Sequence, residues 1–221
     1  MVSRDEGYRR SAGKEALSLP IIESFFDRVL DIPLSRITDP DENYAFGDFC
    51  TPNDRTIEAK GQEIDPSRYG GMNFVEVFEV TRNPRHEGGF EVVAELLSIS
   101  PQQLAEVDVY DAPRRQHTTV GRPRCVSVSL GSISASAATV YVNYLMGGRH
   151  IYVYERDELM RHIWRAAPRG FLRGAGKSNE DTYAVKVPIA DRRWSRGADG
   201  AWRWIGLGSA DDGVGSLQAL L

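Results

Sequence analysis

Tyr44-Ala45-Phe46-Gly47-Asp48-Phe49-Cys50-Thr51-Pro52-Asn53-Asp54-Arg55-Thr56-Ile57-Glu58-Ala59-Lys60-Gly61-Gln62 is the stretch whose reading decides the rest of the chain. Turn-forming residues cluster at Pro52-Asn53-Asp54-Arg55, between two segments of strand character. The run predicts a β-hairpin centred near Asn53, with Asp48 directly across from Glu58. Opposed residues of an antiparallel pair share a face, their Cβ atoms roughly 4.5–5.5 Å apart. Alternation with period two places Glu58, Lys60 and Gln62 on that face and turns Ile57 and Ala59 the other way. Two carboxylates and an amine then converge. Adjacent carboxylates repel unless a proton or a cation lies between them. Magnesium takes such oxygen ligands, usually one or two carboxylates completed by phosphate oxygens and water. The hairpin therefore points to phosphodiester hydrolysis.

At these residues the chain resembles the PD-(D/E)XK nuclease superfamily, which includes most type II restriction endonucleases. Asp48 matches the first metal-binding acid, Glu58 the second and Lys60 the catalytic lysine, with Ala59 as the variable residue between them. Gly47 stands where the motif has proline. A literal Pro-Asp occurs at Pro40-Asp41, but Asp41 would need a hairpin partner near residue 65, beyond the second strand. The resemblance covers roughly Ile21 to Gln62. It implies a restriction-endonuclease-like α/β fold and a magnesium ion on Asp48, Glu58 and the Ala59 carbonyl. It also implies that Lys60 orients or deprotonates the attacking water, and that Gln62 orients water or touches the phosphate. Related nucleases often draw one more acid from the helix before the hairpin, which makes Glu23 the candidate here.

A chain of 221 residues, 41% of them hydrophobic, can bury a full core without disulfides or metal. A single domain over 1–221 is expected, with residues 1–17 loosely ordered. Residues 18–108 would carry the helix, the catalytic hairpin and a helical part, and 109–221 would complete the sheet and contact DNA. The start, Met1-Val2-Ser3-Arg4-Asp5-Glu6, has no apolar signal region, and no stretch approaches the roughly 20 apolar residues of a membrane span. Cys50 and Cys125 are too few for a disulfide framework or a thiolate zinc site. A soluble, cytoplasmic protein is the expectation.

The net charge of −4 hides an asymmetry. Residues 1–108 hold 11 basic and 21 acidic side chains, whereas 109–221 hold 16 and 10. That skew suits an acidic metal-binding part beside a phosphate-contacting part. The basic side chains are 23 Arg and 4 Lys. Arginine forms bidentate bonds to phosphates and guanine edges, although a GC-rich genome also favours it. Arg114, Arg115, His117, Arg122 and Arg124 read as a basic loop, and Arg169, Arg173 and Lys177 as a second, so these are the candidate DNA contacts.

Apolar residues at Ile22, Phe25, Phe26, Val29 and Leu30 predict a helix that starts at Ser18-Leu19-Pro20 and closes at Ile32-Pro33. Residues 73–81 fit either state, with helix preferred. Val93 to Ala105 predicts a packed helix pair, with Ser100 capping the second helix and Pro101 at its first position. Strands are expected near 125–131, 137–145, 149–154 and 182–188, with a helix opening at Asp157-Glu158. Trp194, Trp202 and Trp204 suggest a small packed hairpin. Gly170 to Ser178 mimics a phosphate loop, but its first glycine is one place early and no apolar helix follows. The histidines show no zinc-ligand spacing. The fold expected is thus a mixed central sheet flanked by helices. The function expected is magnesium-dependent cleavage of double-stranded DNA by a homodimeric type II restriction endonuclease. A structure-specific repair or junction nuclease is the alternative enzyme, and a non-catalytic DNA-binding or assembly protein the alternative from another class.

Overall fold

In the computed structural model, which describes residues 4–63, 73–81, 90–111, 115–120, 127–130, 137–166, 169–173, 180–187 and 193–221, the strands pair into two sheets. The chain also divides into two compact units. One comprises Arg9–Asn73, Ser136–Glu158 and Pro188–Leu221, and the other Met1–Tyr8, Phe74–Ala135 and Leu159–Val187.

The first unit carries a seven-stranded sheet among the described residues. Its strands are β1 (Ser35–Arg36), β2 (Phe49–Cys50), β3 (Thr56–Gln62), β8 (Val140–Leu145), β9 (His150–Glu155), β12 (Arg193–Arg196) and β13 (Trp202–Trp204), in that spatial order. β3 and β8 run parallel, whereas the other neighbours are antiparallel, so the sheet is mixed. Helices flank it, and the expected mixed α/β class is the one observed.

Helix α1 spans Arg4–Phe25 and continues as a π-helical turn over Phe26–Leu30. This corrects the expected start at Ser18, since the helix runs from Arg4. Pro20 lies inside it, where proline removes a hydrogen bond to the carbonyl four residues back. That carbonyl belongs to Ala16, and Ala16 and Pro20 are both exposed, so water can reach it. The opposite side buries Leu19, Ile22, Phe25, Phe26 and Leu30 against Ile57, Ala59, Val140, Val142, Ile151 and Val153. Each such side chain contributes about 1.5–3 kcal/mol, which outweighs one solvated carbonyl. Asp31, at φ 57°, ends the turn with its N–H on the Phe26 carbonyl, close to the expected stop at Ile32-Pro33.

Helix α2 (Pro40–Phe46) corrects the reading of Tyr44-Ala45-Phe46 as strand. Asp39 caps it by accepting from the Asp41 and Glu42 N–H groups, and Pro40 takes the first turn, so the literal Pro-Asp is a helix start. β12 and β13 form the expected tryptophan hairpin, with Trp194 opposite Trp204 and the rings edge to face at 4.7 Å. Phe25 packs edge-on to Trp194 and Trp202, and the last helix, α6 (Ala210–Leu220), adds Leu217 to the same core.

The second unit carries six strands among the described residues, in the order β6 (Gln116–Thr119), β5 (Asp108–Asp111), β10 (Phe171–Arg173), β11 (Glu180–Val187), β4 (Asn73–Thr81) and β7 (Ser127–Leu130). β4 corrects the helix preferred for 73–81: Val75 and Val77 are buried at period two, and β-branched content prevails. Helices α3 (Phe90–Leu96) and α4 (Pro101–Glu106) are the expected pair, and Ser100 and Gln103 form a complete capping box. Helix α5 (Arg156–Ala166) follows β9 and opens with Asp157 and Glu158 at its positive end, as expected. No described helix is long and apolar enough to cross a membrane.

Candidate active site

Three residues, Pro52-Asn53-Asp54, turn the chain between β2 and β3. Thr51 N–H donates to the Arg55 carbonyl at 2.8 Å, and Asp54 adopts the left-handed conformation (φ 57°). The ladder pairs Cys50 with Thr56 and Phe49 with Ile57. Carried one step further, that register sets Asp48 opposite Glu58, as the sequence indicates. The step is not a plain one. Asp48 N–H donates to the Ile57 carbonyl at 2.8 Å, one residue off the straight ladder, which is the pattern of a bulge. Bulges re-aim side chains, and the Asp48 Oδ2 atom accepts the Ala59 N–H at 2.7 Å.

Asp48 is 9% exposed and Glu58 7%, so both carboxylates are nearly closed to water. Burying a carboxylate is costly unless it is paired. Lys60 serves Glu58, with Nζ 3.0 Å from Oε1, and its own side chain remains 41% exposed. Among the described residues, the donors to Asp48 are neutral, the Ala59 N–H at 2.7 Å and the Asn43 amide at 3.4 Å. The N–H and C=O of one strand residue project to the same side, so the Ala59 carbonyl also faces the Asp48 side, beyond the end of β2. The chemistry of these groups, two carboxylates and one carbonyl, with no described basic side chain paired to Asp48, fits a hard divalent cation. Among the described residues no group of three or more His, Cys, Asp and Glu side chains is placed to hold a metal, so the fit rests on this mixed set.

Glu23 stands apart from it. Helix α1 packs on the face of Ile57 and Ala59, opposite to the one bearing Glu58 and Lys60. Glu23 forms a bidentate ion pair with Arg36, both contacts at 2.7 Å, and Arg36 lies 6.0 Å from the centre of the Phe49 ring. Glu23, the acid expected as a third metal ligand, is thus engaged in a pairing with the edge strand. Gln62 is half-buried at the end of β3, on the face of Glu58 and Lys60, and its carbonyl accepts from Met146 N–H.

Sequence reasoning missed the neighbours that hold these groups. Asn43 on α2 donates to the Ile37 and Gly47 carbonyls as well as to Asp48, tying the approach to β2 together. On the parallel strand β8, Tyr141 lies abreast of Glu58 and Asn143 abreast of Lys60. The row continues from Asn143 to Tyr152 on β9 and then Arg193 on β12. Tyr141, Asn143 and Tyr152 are all buried. Burial holds the Tyr152 phenol above its ordinary pKa of 10.0, and the Arg193 guanidinium, also hydrogen-bonded to it, pulls partly the other way.

The expected DNA contacts belong, where described, to the second unit. Arg115 is an exposed residue at φ 51° leading into β6. His117 sits on that strand rather than in a loop. Its Nδ1 lies 2.7 Å from the Asp108 Oδ2, with the ring tilted against Tyr110. Arg173 ends β10, in register with Asp111 on β5. Arg114, Arg122, Arg124 and Lys177 lie outside the described residues. Comparison of the chain with protein-family models, with curated proteins and with solved structures finds no match.

Proposed function

We propose that this protein hydrolyses DNA phosphodiester bonds with a divalent cation, magnesium by preference, at Asp48, Glu58 and Lys60. One observation carries the reading: Asp48 and Glu58 are both buried at the hairpin, Asp48 accepting from the Ala59 N–H at 2.7 Å and Glu58 lying 3.0 Å from the Lys60 ammonium. Asp48, Glu58 and the Ala59 carbonyl would hold the cation, which when bound lowers the pKa of water and offsets charge developing on the phosphate. The remaining chemistry belongs to the chain. Lys60, exposed enough to reach a ligand, donates as an ammonium to a non-bridging phosphate oxygen and orients the attacking water, whose proton passes to solvent. A P–O bond to water forms, one ester P–O bond breaks, and the departing oxygen leaves as a hydroxyl after gaining a proton. Gln62, on the same face, orients the water or the phosphate. The substrate is double-stranded DNA, and the kind of enzyme is a homodimeric type II restriction endonuclease. Support for that finer assignment is the resemblance of the hairpin motif.

The test combines cleavage with a readout of cation binding. Plasmid and phage DNA incubated with magnesium should give discrete fragments, lost on chelation and in Lys60→Ala, while Lys60→Ala still binds DNA. Smears or nicks limited to branched DNA would move the assignment to a junction nuclease. Terbium should bind with luminescence sensitised by Tyr141, abreast of Glu58, and Asp48→Asn or Glu58→Gln should abolish it. Absence of both cleavage and terbium binding would leave a DNA-binding protein without catalysis.

A further inference from the structure

Helix α5 is two-sided. Leu159, Met160 and Ile163 are buried, whereas Asp157, Glu158, Arg161, Trp164 and Arg165 are exposed. At 3.6 residues per turn, Arg161 and Arg165 lie one above the other, and Trp164, one turn beyond Arg161, stands at the edge of that row. The acids occupy the first turn, so the last two turns present an aromatic ring beside two guanidinium groups. Trp164 is 43% exposed, unlike Trp194, which is 2% exposed in the core. A lone exposed apolar residue needs no explanation, but the charge around this one is unusual. Residues 159–179 contain no Asp or Glu, although 31 acids in 221 residues would put about three in a stretch of that length. The same stretch places Arg161, Arg165, Arg169, Arg173 and Lys177 at intervals of four. Arg169, just past the helix, is exposed.

We propose that this face binds single-stranded DNA, with Trp164 stacking on one base and Arg161, Arg165 and Arg169 meeting the flanking phosphates. A flat aromatic beside cations is what a strand with unstacked bases recognises. In a duplex the base faces are already stacked, so Trp164 would find no open face there and only the arginines could engage, at phosphates or guanine edges. A lipid surface would want a continuous apolar stripe rather than one ring. The site stands outside the hydrolysis reading and does not depend on it. If both hold, the substrate shifts from an intact palindromic duplex toward DNA with an unpaired arm.

The experiment is fluorescence anisotropy of labelled oligo(dT) with the full chain in chelator, where neither cation nor cleavage enters. Tight binding, quenched tryptophan emission and at least tenfold weaker binding of a duplex of equal length are expected. Trp164→Ala should weaken binding about tenfold, with most of it restored in Trp164→Phe. Arg161→Gln with Arg165→Gln should flatten the salt dependence by between one and two counterions. Circular dichroism would confirm that these surface variants fold. Equal binding of duplex, of oligo(U) or of polyglutamate would overturn the proposal, as would unchanged affinity in Trp164→Ala. Loss of DNA cleavage elsewhere would leave this result untouched.

Discussion

Gly47 has φ +98°, and a Cβ placed there would lie 2.6 Å from the Ile57 carbonyl oxygen. Proline, held near −65°, cannot take that conformation, whereas glycine can. The close approach lets the Asp48 N–H reach the Ile57 carbonyl, and so it aims the Asp48 carboxylate at the Ala59 N–H. Gly47→Ala should cost about 1–3 kcal/mol in backbone strain alone, read as a lower urea midpoint, and should weaken terbium binding in the same samples. Asn43→Ala tests the other support of Asp48. Groups that orient a metal ligand typically matter about 10–100-fold in affinity, so terbium titration should show a loss of at least tenfold; unchanged affinity would make Asn43 merely structural. The hairpin that pairs Phe49 with Ile57 was legible because a turn and a period-two pattern are local. Asn43 was not, since the helix that carries it replaced an expected strand. Nor were Tyr141 and Asn143, because the parallel pairing of β3 with β8 leaves no trace in either strand.

Between elements, the closest approach near the site is that of α1 to β3. A Cβ on Gly61 would meet Ser18 Oγ at 2.5 Å and Ser18 Cβ at 2.7 Å. Gly61 lies between Lys60 and Gln62 but on the opposite face, so helix packing fixes the height of the strand that carries the site. Gly61→Ala should destabilise the protein by roughly 1–3 kcal/mol, as overpacking does. Ser18→Gly should recover part of that in the double variant, because it removes the opposing Cβ and hydroxyl. A double-mutant cycle in urea measures the coupling, and purely additive effects would show that the two residues do not press on one another. Element boundaries followed the strength of local signals. The capping box at Ser100-Gln103 and the Trp194–Trp204 hairpin were both readable. Helix α1 and β4 were misread where burial overrode a proline in one case and a shared helical spacing in the other.

For the whole molecule, the charge skew between residues 1–108 and 109–221 does not map onto the two units, since each is assembled from separated segments of chain. Long-range pairing of this kind is also what builds the row from Lys60 through Asn143 and Tyr152 to Arg193. That row links global stability to alkaline pH. The folded state holds the Tyr152 phenol neutral above the value of 10.0 it has when exposed, chiefly because the ring is buried. A group with a raised folded pKa contributes its full stabilisation below its unfolded value and loses it as pH rises through the folded one. Stability should therefore hold near pH 8 and fall from about pH 10 upward, as the unfolded chain releases a proton that the folded chain retains. Tyr152→Phe removes this titration while keeping the ring. It should lower stability at neutral pH by about 1 kcal/mol through the lost hydrogen bond with Arg193, yet show a flatter decline above pH 10. Urea midpoints of both proteins across that range decide the matter. Parallel declines would mean that Tyr152 ionises as freely in the folded protein as in the unfolded chain, and that the row does not hold its proton.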